Sequence, residues 1–465
     1  MPERRKLLVA AFFCLGAGSS SAKGPASRPY AVVDTGQTVC YSVDPDAGED
    51  AQYSGRRAAY RDNGDGTVTD LNTGLMWTND PGGKLTFSQA LAGARECRVG
   101  GHKDWRLPSI KELYSLILFS GIDPDPRSID GSGLRPFIDK GYFRFSYGDP
   151  EAGERVIDSQ FISSTRYVAS KAAGEEKVFG VNFADGRVKG YGLKAPHGPG
   201  QKTFYALFVR GNRAYGWNRF SDSGDGTVTD AATGLMWTKR DSGKGMAWDE
   251  ALRWARQLRV AGRADWRLPD VKELESIVDY SRSPDTTGSA AIDPVFGSTP
   301  LTNEGGEKDY PYYWSSTTHA GLRNGGRAAY VAFGRALGWL LDPMTGERRL
   351  QDVHGAGAQR SEFKSGEASA YPYGHGPQGD VVRIANFARA VRGGDVRAVP
   401  CGRVAMPDAR SRRGPPREAV AACRGHQVGD VVEFQAPRGP VRGACRLIGG
   451  EVACVPDGPP PPRDR

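Results

Sequence analysis

Six ionisable side chains form the most site-like group in this sequence. Asp352, His354, Arg360, His375 and Asp380 share one stretch rich in Gly and polar residues, and His197 in the phrase HGPG answers His375 in HGPQ. Imidazole and carboxylate within reach of one another can relay a proton, hold a metal or fix a polar ligand. Binding residues concentrate on long loops carried by a rigid scaffold, which gives the ligand- or metal-binding reading its support. The plainer alternative is a solvated loop held by local hydrogen bonds, and the residue types leave both open.

Two further groups invite chemistry. Asp62, Asp65 and Asp70 lie close together in DNGDGTVTD, and Asp222 and Asp225 return in DSGDGTVTD. They are hard oxygen donors that could hold calcium, although the twelve-residue calcium loop also needs a closing Glu. The same residues suit a hairpin turn in which Asp and Asn bond the backbone, and that reading is preferred. The phrase DWRLP, at 104–108 and 265–269, offers Asp104 with Arg106 and Asp265 with Arg267. Such a pair could grip a sugar. A structural pair that satisfies loop backbone, with Trp105 and Trp266 buried beside it, is preferred because buried charges are normally paired. No G-x-S-x-G, H-E-x-x-H or phosphate-binding loop occurs, and only His197 and His375 among the histidines correspond between repeats. A non-catalytic protein with no cofactor beyond possible calcium is expected.

These groups need elements to place them, and the elements come twice. DGTVTD, TGLMWT, DWRLP and a downstream FISST or YWSST recur in order, the mark of a duplicated module. Copy one is read over 60–211 and copy two over 215–394. Thr-Val-Thr and Leu-Met-Trp read as strands of a three-stranded meander anchored by Trp77 or Trp237. A helix follows, with Leu91, Ala94 and Cys97 on one face and Leu252, Ala255 and Leu258 on its counterpart. After DWRLP, Ser109 with Glu112 and Asp270 with Glu273 have capping-box spacing and begin a second helix. Copy two carries an insert of about forty residues, 341–380, and a loop that long is usually functional or disordered. Each copy is expected to close its own hydrophobic centre.

With 62 Gly and 31 Pro in 465 residues, a loop-rich α+β protein is favoured over a helical bundle. Residues 1–22 read as a signal peptide: Arg4, Arg5 and Lys6, an apolar run from Leu7 to Ala17, then small residues to Ala22. The run is shorter than the ~20 residues that span a bilayer, and no other stretch is long enough. Residues 23–59 are a lead-in, 395–418 a linker, 419–456 a small Cys-containing module and 457–465 a disordered tail. The formal charge of +8 falls to +6 without the signal, and 395–465 alone carry +4. The repeats are therefore nearly neutral, which argues against a nucleic-acid partner. Beyond Cys14, six cysteines remain and none form C-x-x-C. In an exported chain disulfides are the default, with Cys401, Cys423, Cys445 and Cys454 open to pairing in the tail.

DGTVTD, TGLMWT, DWRLP-x-x-KEL and YWSST together resemble the Lcl C-terminal domain family, and the resemblance covers both copies. The Cys-rich end resembles a small module that follows such domains, with Val432 where another Cys would stand. The resemblance implies two tandem C-type-lectin-like domains, each with two helices on a twisted antiparallel sheet, and a disulfide-rich C-terminal module. It also implies glycan binding in adhesion. The family's last strand usually carries a Cys, where this chain has Phe208 and Ala390. Cys97 then lacks its usual partner, and copy two has Leu258 at the equivalent position and no counterpart of Cys40. A Cys40–Cys97 disulfide is therefore expected. The expected protein is exported to the periplasm, cell surface or medium and binds glycans or envelope polymers. The alternative is an assembly component that binds a protein through 341–380.

Overall fold

The computed structural model describes residues 28–42, 44, 46–125, 133–171, 175–195, 200–322, 324–342, 345–403, 417–427, 430–436, 439–448 and 451–456. The expected signal peptide, His197, linker residues 404–416 and the tail 457–465 lie outside the described residues.

Each copy opens on the expected meander. Tyr60–Asp62, Thr67–Asp70 and Leu75–Thr78 pair antiparallel, as do Phe220–Asp222, Thr227–Asp230 and Leu235–Thr238. Gly66 and Gly226 take φ of 85° and 88° in the Asp-Gly turn, a region costly for residues with a Cβ. The last strand of each copy returns as a fourth member, setting Val209 opposite Trp77 and Val391 opposite Trp237. Both indoles are fully buried.

The helices that follow the meanders and the DWRLP phrases are α1 (Phe87–Glu96), α2 (Ile110–Tyr114), α3 (Trp248–Gln257) and α4 (Val271–Ser276). Both capping boxes form: Ser109 Oγ accepts from Glu112 N at 3.2 Å, and Asp270 Oδ1 from Glu273 N at 2.9 Å. On α1 the buried face is Phe87, Ala90 and Ala94 rather than Leu91, Ala94 and Cys97, because Phe87 is drawn into a small core with Leu107, Ile162 and Phe204.

The copies do not close separate hydrophobic centres. Trp77, Ile110 and Leu113 of copy one share a buried cluster with Trp237, Val271 and Leu274 of copy two. Each copy keeps a smaller core of its own, under α1 in one and under α3 in the other. The physical reason is size: α2 and α4 are one-and-a-half-turn helices, too short to cover a sheet face alone. Residues up to Gly402 accordingly form one compact unit.

The second halves of the copies fuse as well. One six-stranded sheet runs Tyr312–Thr318, Arg327–Ala332, Gln359–Phe363, Arg187–Gly192, Lys177–Asn182, Gln160–Arg166. The seam joins Gln359 to Val188, and Gly190 N donates to His354 O at 2.7 Å. The insert of copy two is thus no structureless loop. Its strand Gln359–Phe363 bridges the copies, while Leu337–Leu341 and Arg348–Asp352 form a separate hairpin. An open strand edge of copy one supplied the pairing the insert needed.

Across the helices the contact is reciprocal. Lys111 Nζ donates to Ser276 O at 2.7 Å and to Asn218 Oδ1 at 3.0 Å. The equivalent Lys272 Nζ donates to Ser115 O at 2.8 Å and Ile117 O at 3.0 Å. Each lysine thereby satisfies carbonyls left open at the end of the other copy's helix. Between them lies a void of about 10 Å³, lined by Tyr30, Tyr114, Tyr215 and Glu275 among others, with room for a single water.

The lead-in is part of the core. Asp50 accepts from Thr35 Oγ1 at 2.8 Å and Thr317 Oγ1 at 2.6 Å, and the Gln37 amide pairs both ways with the Thr318 backbone, at 2.8 and 3.0 Å. The start of the expected linker folds back on it, Arg397–Ala398 pairing with Tyr53–Ser54. This corrects the expected disulfide: Cys40 bonds Cys401, not Cys97, because the returning chain brings Cys401 alongside. Cys97 is a half-buried thiol, and Phe208 packs near Gly93, one turn earlier on α1. Residues from Arg403 onward form a second small unit, where helix Arg417–Ala422 accompanies strands Val431–Ala436, Gly439–Ile448 and Glu451–Pro456. There Cys423 bonds Cys445, and Cys454 Sγ lies 4.0 Å from Val432 O, beside the position where the resembled module has a Cys.

Two outcomes are expected. Lys272→Met strips two buried carbonyls of their donor and should cost about 1–3 kcal/mol in urea unfolding, although its own core contacts are kept. Burial pushes Glu275 up to about 7 from 4.5, against the pull of Lys111 and a hydrogen bond from Tyr280. With the folded value raised, its contribution to stability is full below 4.5 and lost as pH rises to about 7. Glu275→Gln should therefore melt above the parent at about pH 8, with the gap closing by about pH 4.

Candidate functional site

The structure brings five of the six expected site residues together, but at the seam. Asp380 is the hub. Its Oδ1 lies 2.7 Å from His354 Nε2, and its Oδ2 accepts from Arg360 Nε at 2.9 Å and Nη2 at 2.5 Å. Asp352 Oδ1 accepts from Ala336 N and Gly355 N, both at 3.0 Å, and its Oδ2 from Tyr167 Oη of copy one at 2.5 Å. His375 Nε2 meets Arg327 Nη2 at 2.9 Å, and its backbone pairs with that of Asp380. Copy one answers with Lys189 Nζ on Gln378 Oε1 at 2.8 Å and Lys177 Nζ on Asp352 O at 3.1 Å. Arg187, clamped to Asp123 at 2.7 and 2.8 Å, also donates to Ser361 Oγ at 2.9 Å.

Electrostatics follow from burial. His354 is 1% exposed, and desolvation, aided by the Arg360 charge, lowers it to about 3, so the ring is neutral. Desolvation would raise Asp380, but Arg360 and His354 outweigh it and hold the carboxylate well below its usual range. Asp352 is raised to about 6 by burial, against the Tyr167 hydrogen bond. The cluster expected on a ligand-binding loop is therefore largely an internal charge network that ties the insert to copy one. The insert folds down as a strand, and its polar residues turn inward with it.

The Asp-Gly turns keep their carboxylates for themselves. Asp62 Oδ1 accepts from Gly64 N at 2.9 Å and Asp65 Oδ1 from Thr67 N and Oγ1 at 3.0 and 2.6 Å. Asp222 and Asp225 repeat this, and Lys239 Nζ sits 2.5 Å from Asp222. Among the described residues no three His, Cys, Asp or Glu gather to hold a metal.

A more accessible site lies outside the hub. An open groove of about 620 Å³ is lined by Leu301, Glu304, Trp339, Tyr371, Val381 and Arg383, with others. Trp339 comes from the insert hairpin, and Tyr373, 55% exposed, meets it edge-on at 6.0 Å between ring centres. Tyr371 stacks on Phe363 at 4.9 Å. Arg383 forks onto Glu304 at 2.8 and 2.9 Å and lies over the Tyr312 ring, yet its buried Nη1 has no partner among the described residues. Sequence reasoning missed Trp339, Tyr371, Arg383 and Glu304. The available signal was Trp339 itself, an aromatic at the mouth of a polar insert.

A family model described as Lcl C-terminal domain matches residues 66–210 and again 226–348. The chain belongs to the Lcl C-terminal domain family. No curated protein and no solved structure matches it. The second match ends at 348, so most of the insert lies beyond it.

Within each Lcl C-terminal domain the motifs explain one another. Asp and Arg of DWRLP do not pair together. Arg106 instead binds Glu112 of its own capping box, and Arg267 forks onto Glu273 at 2.5 and 2.6 Å. The aspartates reach the last strand, Asp104 to Arg210 at 2.6 Å and Asp265 to Arg392 at 2.8 Å twice. Trp105 and Trp266 are buried, and their indole N–H groups donate to Val99 O and Val260 O at 3.2 and 3.4 Å. The expected Asp–Arg pair is thus replaced by two separate ties, one to the capping box and one to the last strand.

Asp380→Asn leaves Arg360 buried against a neutral partner and should cost about 3–5 kcal/mol in denaturant unfolding. Because the folded carboxylate is depressed, its contribution is present above the unfolded value of about 4 and lost as pH falls. The gap between parent and variant should begin to narrow only as pH falls below the unfolded value.

Proposed function

We propose that this protein is an exported, non-catalytic binding protein whose lectin-like scaffold holds glycans or other envelope polymers in the groove of copy two. One observation carries this: the half-buried Trp339 and Tyr371 line an open groove together with Arg383, whose Nη1 has no acceptor among the described residues. Sugar rings offer apolar C–H faces for the aromatic rings and hydroxyl or acidic oxygens for the guanidinium. The N-terminal run of basic then apolar residues, followed by small ones, supports export, as do the disulfides. No helix among the described residues is long and apolar enough to cross a membrane. In this reading calcium is dispensable, since the turn carboxylates already hold backbone and Thr hydroxyls.

A second reading keeps the groove but gives it a protein partner, and the exposed Leu341 and Tyr373 favour it. The two part on a glycan array probed with the purified chain. Trp339→Ala should lose glycan signal about tenfold or more while keeping the parent's melting curve, since a stacked aromatic contributes about 1–3 kcal/mol. Excess chelator should leave the signal unchanged. No glycan bound by the parent, together with a pull-down partner lost on deleting 345–347, would favour the protein reading.

A further inference from the structure

The seam holds a lysine that its surroundings leave unusually close to reaction. Lys189 extends from copy one, and its single hydrogen bond among the described residues is to Gln378 Oε1 of the copy-two insert, at 2.8 Å. Its Nζ lies over the Tyr191 ring, 5.1 Å from the ring centre. No carboxylate lies within ion-pairing distance of Nζ among the described residues, although every neighbouring Arg at the seam has one. Asp185 stands nearby, 7% exposed, and its Oδ1 has no hydrogen-bond partner among the described residues. The amine and the carboxamide thus meet directly, with Asp185 close enough to feel the Lys189 charge while its Oδ2 lies 3.5 Å from Arg187 Nη1.

We propose that Lys189 and Gln378 join in an intramolecular isopeptide bond that staples the two copies across their seam. The free amine of Lys189 attacks Gln378 Cδ, forming the N–C bond. The carbonyl oxygen takes the negative charge of the tetrahedral intermediate. Asp185, as the acid, gives its proton to the departing amide nitrogen and recovers one from the Lys189 nitrogen. The Cδ–Nε2 bond breaks, ammonia leaves, and the carbonyl reforms. Nothing is oxidised or reduced, and no co-reactant is needed.

The protonation states suit this step. Burial, helped by the Arg360 charge, lowers Lys189 to about 7, so a large fraction is free amine at neutral pH. Burial raises Asp185, against the pull of Arg187, which favours the acid form. Each group also feels the other's charge. Effective concentrations in such fixed geometry are high enough to make an otherwise slow amide exchange proceed without an enzyme.

The test is intact mass spectrometry of the full purified chain after disulfide reduction, followed by peptide mapping. The expected result is a mass lower by one ammonia and a branched tryptic species joining the Lys189 and Gln378 peptides. Lys189→Arg and Gln378→Ala should each restore the full mass. The parent mass unshifted, or the ammonia loss persisting in both variants, would overturn the proposal. Persistence in the variants would trace the loss to imide formation at Asn63-Gly64 or Asn324-Gly325 instead.

Discussion

Two helices too short to stand alone meet, and a lysine from each reaches the open carbonyls at the end of the other. Buried ammonium groups and buried helix ends are each costly when unpartnered. Here one contact, made twice in opposite directions, removes both costs. Lys111 and Lys272 come from the same position of the repeated KEL phrase, so one sequence feature serves as donor in both directions. This is the logic of an isologous dimer, in which one patch meets its own copy, written into a single chain. Trp77 and Trp237 then fall into one hydrophobic centre because the interface that joins the copies is also their core.

The repeated motifs are a set of interlocking ties. Glu112 and Glu273 each close a capping box and receive an arginine of DWRLP, while the aspartate of DWRLP holds the last strand. Four stretches far apart in sequence are thereby fixed to one another. Removing any one would leave a charge half-paired, which explains why they travel together in both copies of this chain. The lead-in completes the unit, since Asp50 and Gln37 bond the strand at Thr317 and Thr318 and the Cys40–Cys401 bond closes the girdle.

Duplication left room for divergence. Copy one presents a bare strand edge, and the insert of copy two covers it with Gln359–Phe363 and turns Arg360, His354 and Asp380 inward. The remainder of the insert stands off as a hairpin, and with Arg383 and Tyr371 it walls the groove. One segment thus does two jobs: its inner residues weld the copies and its outer ones face solvent. The ionisable cluster looked like a site from sequence because polar residues in a Gly-rich insert read the same whether they face water or a charged partner.

What the sequence determined by itself was local. The repeat, the Asp-Gly turns, the meander and both capping boxes depend on residues within a few positions of each other, where spacing fixes geometry. The pairing of Cys40 with Cys401 and of Asp104 with Arg210, and the burial of His354 and Asp380, depended on which edges and helix ends remained open once the copies formed. That is a matter of surface left uncovered by short helices and an unpaired strand, and a linear pattern does not carry it. Only the folded chain could decide that two units would finish one core, because each half's missing cover is the other half.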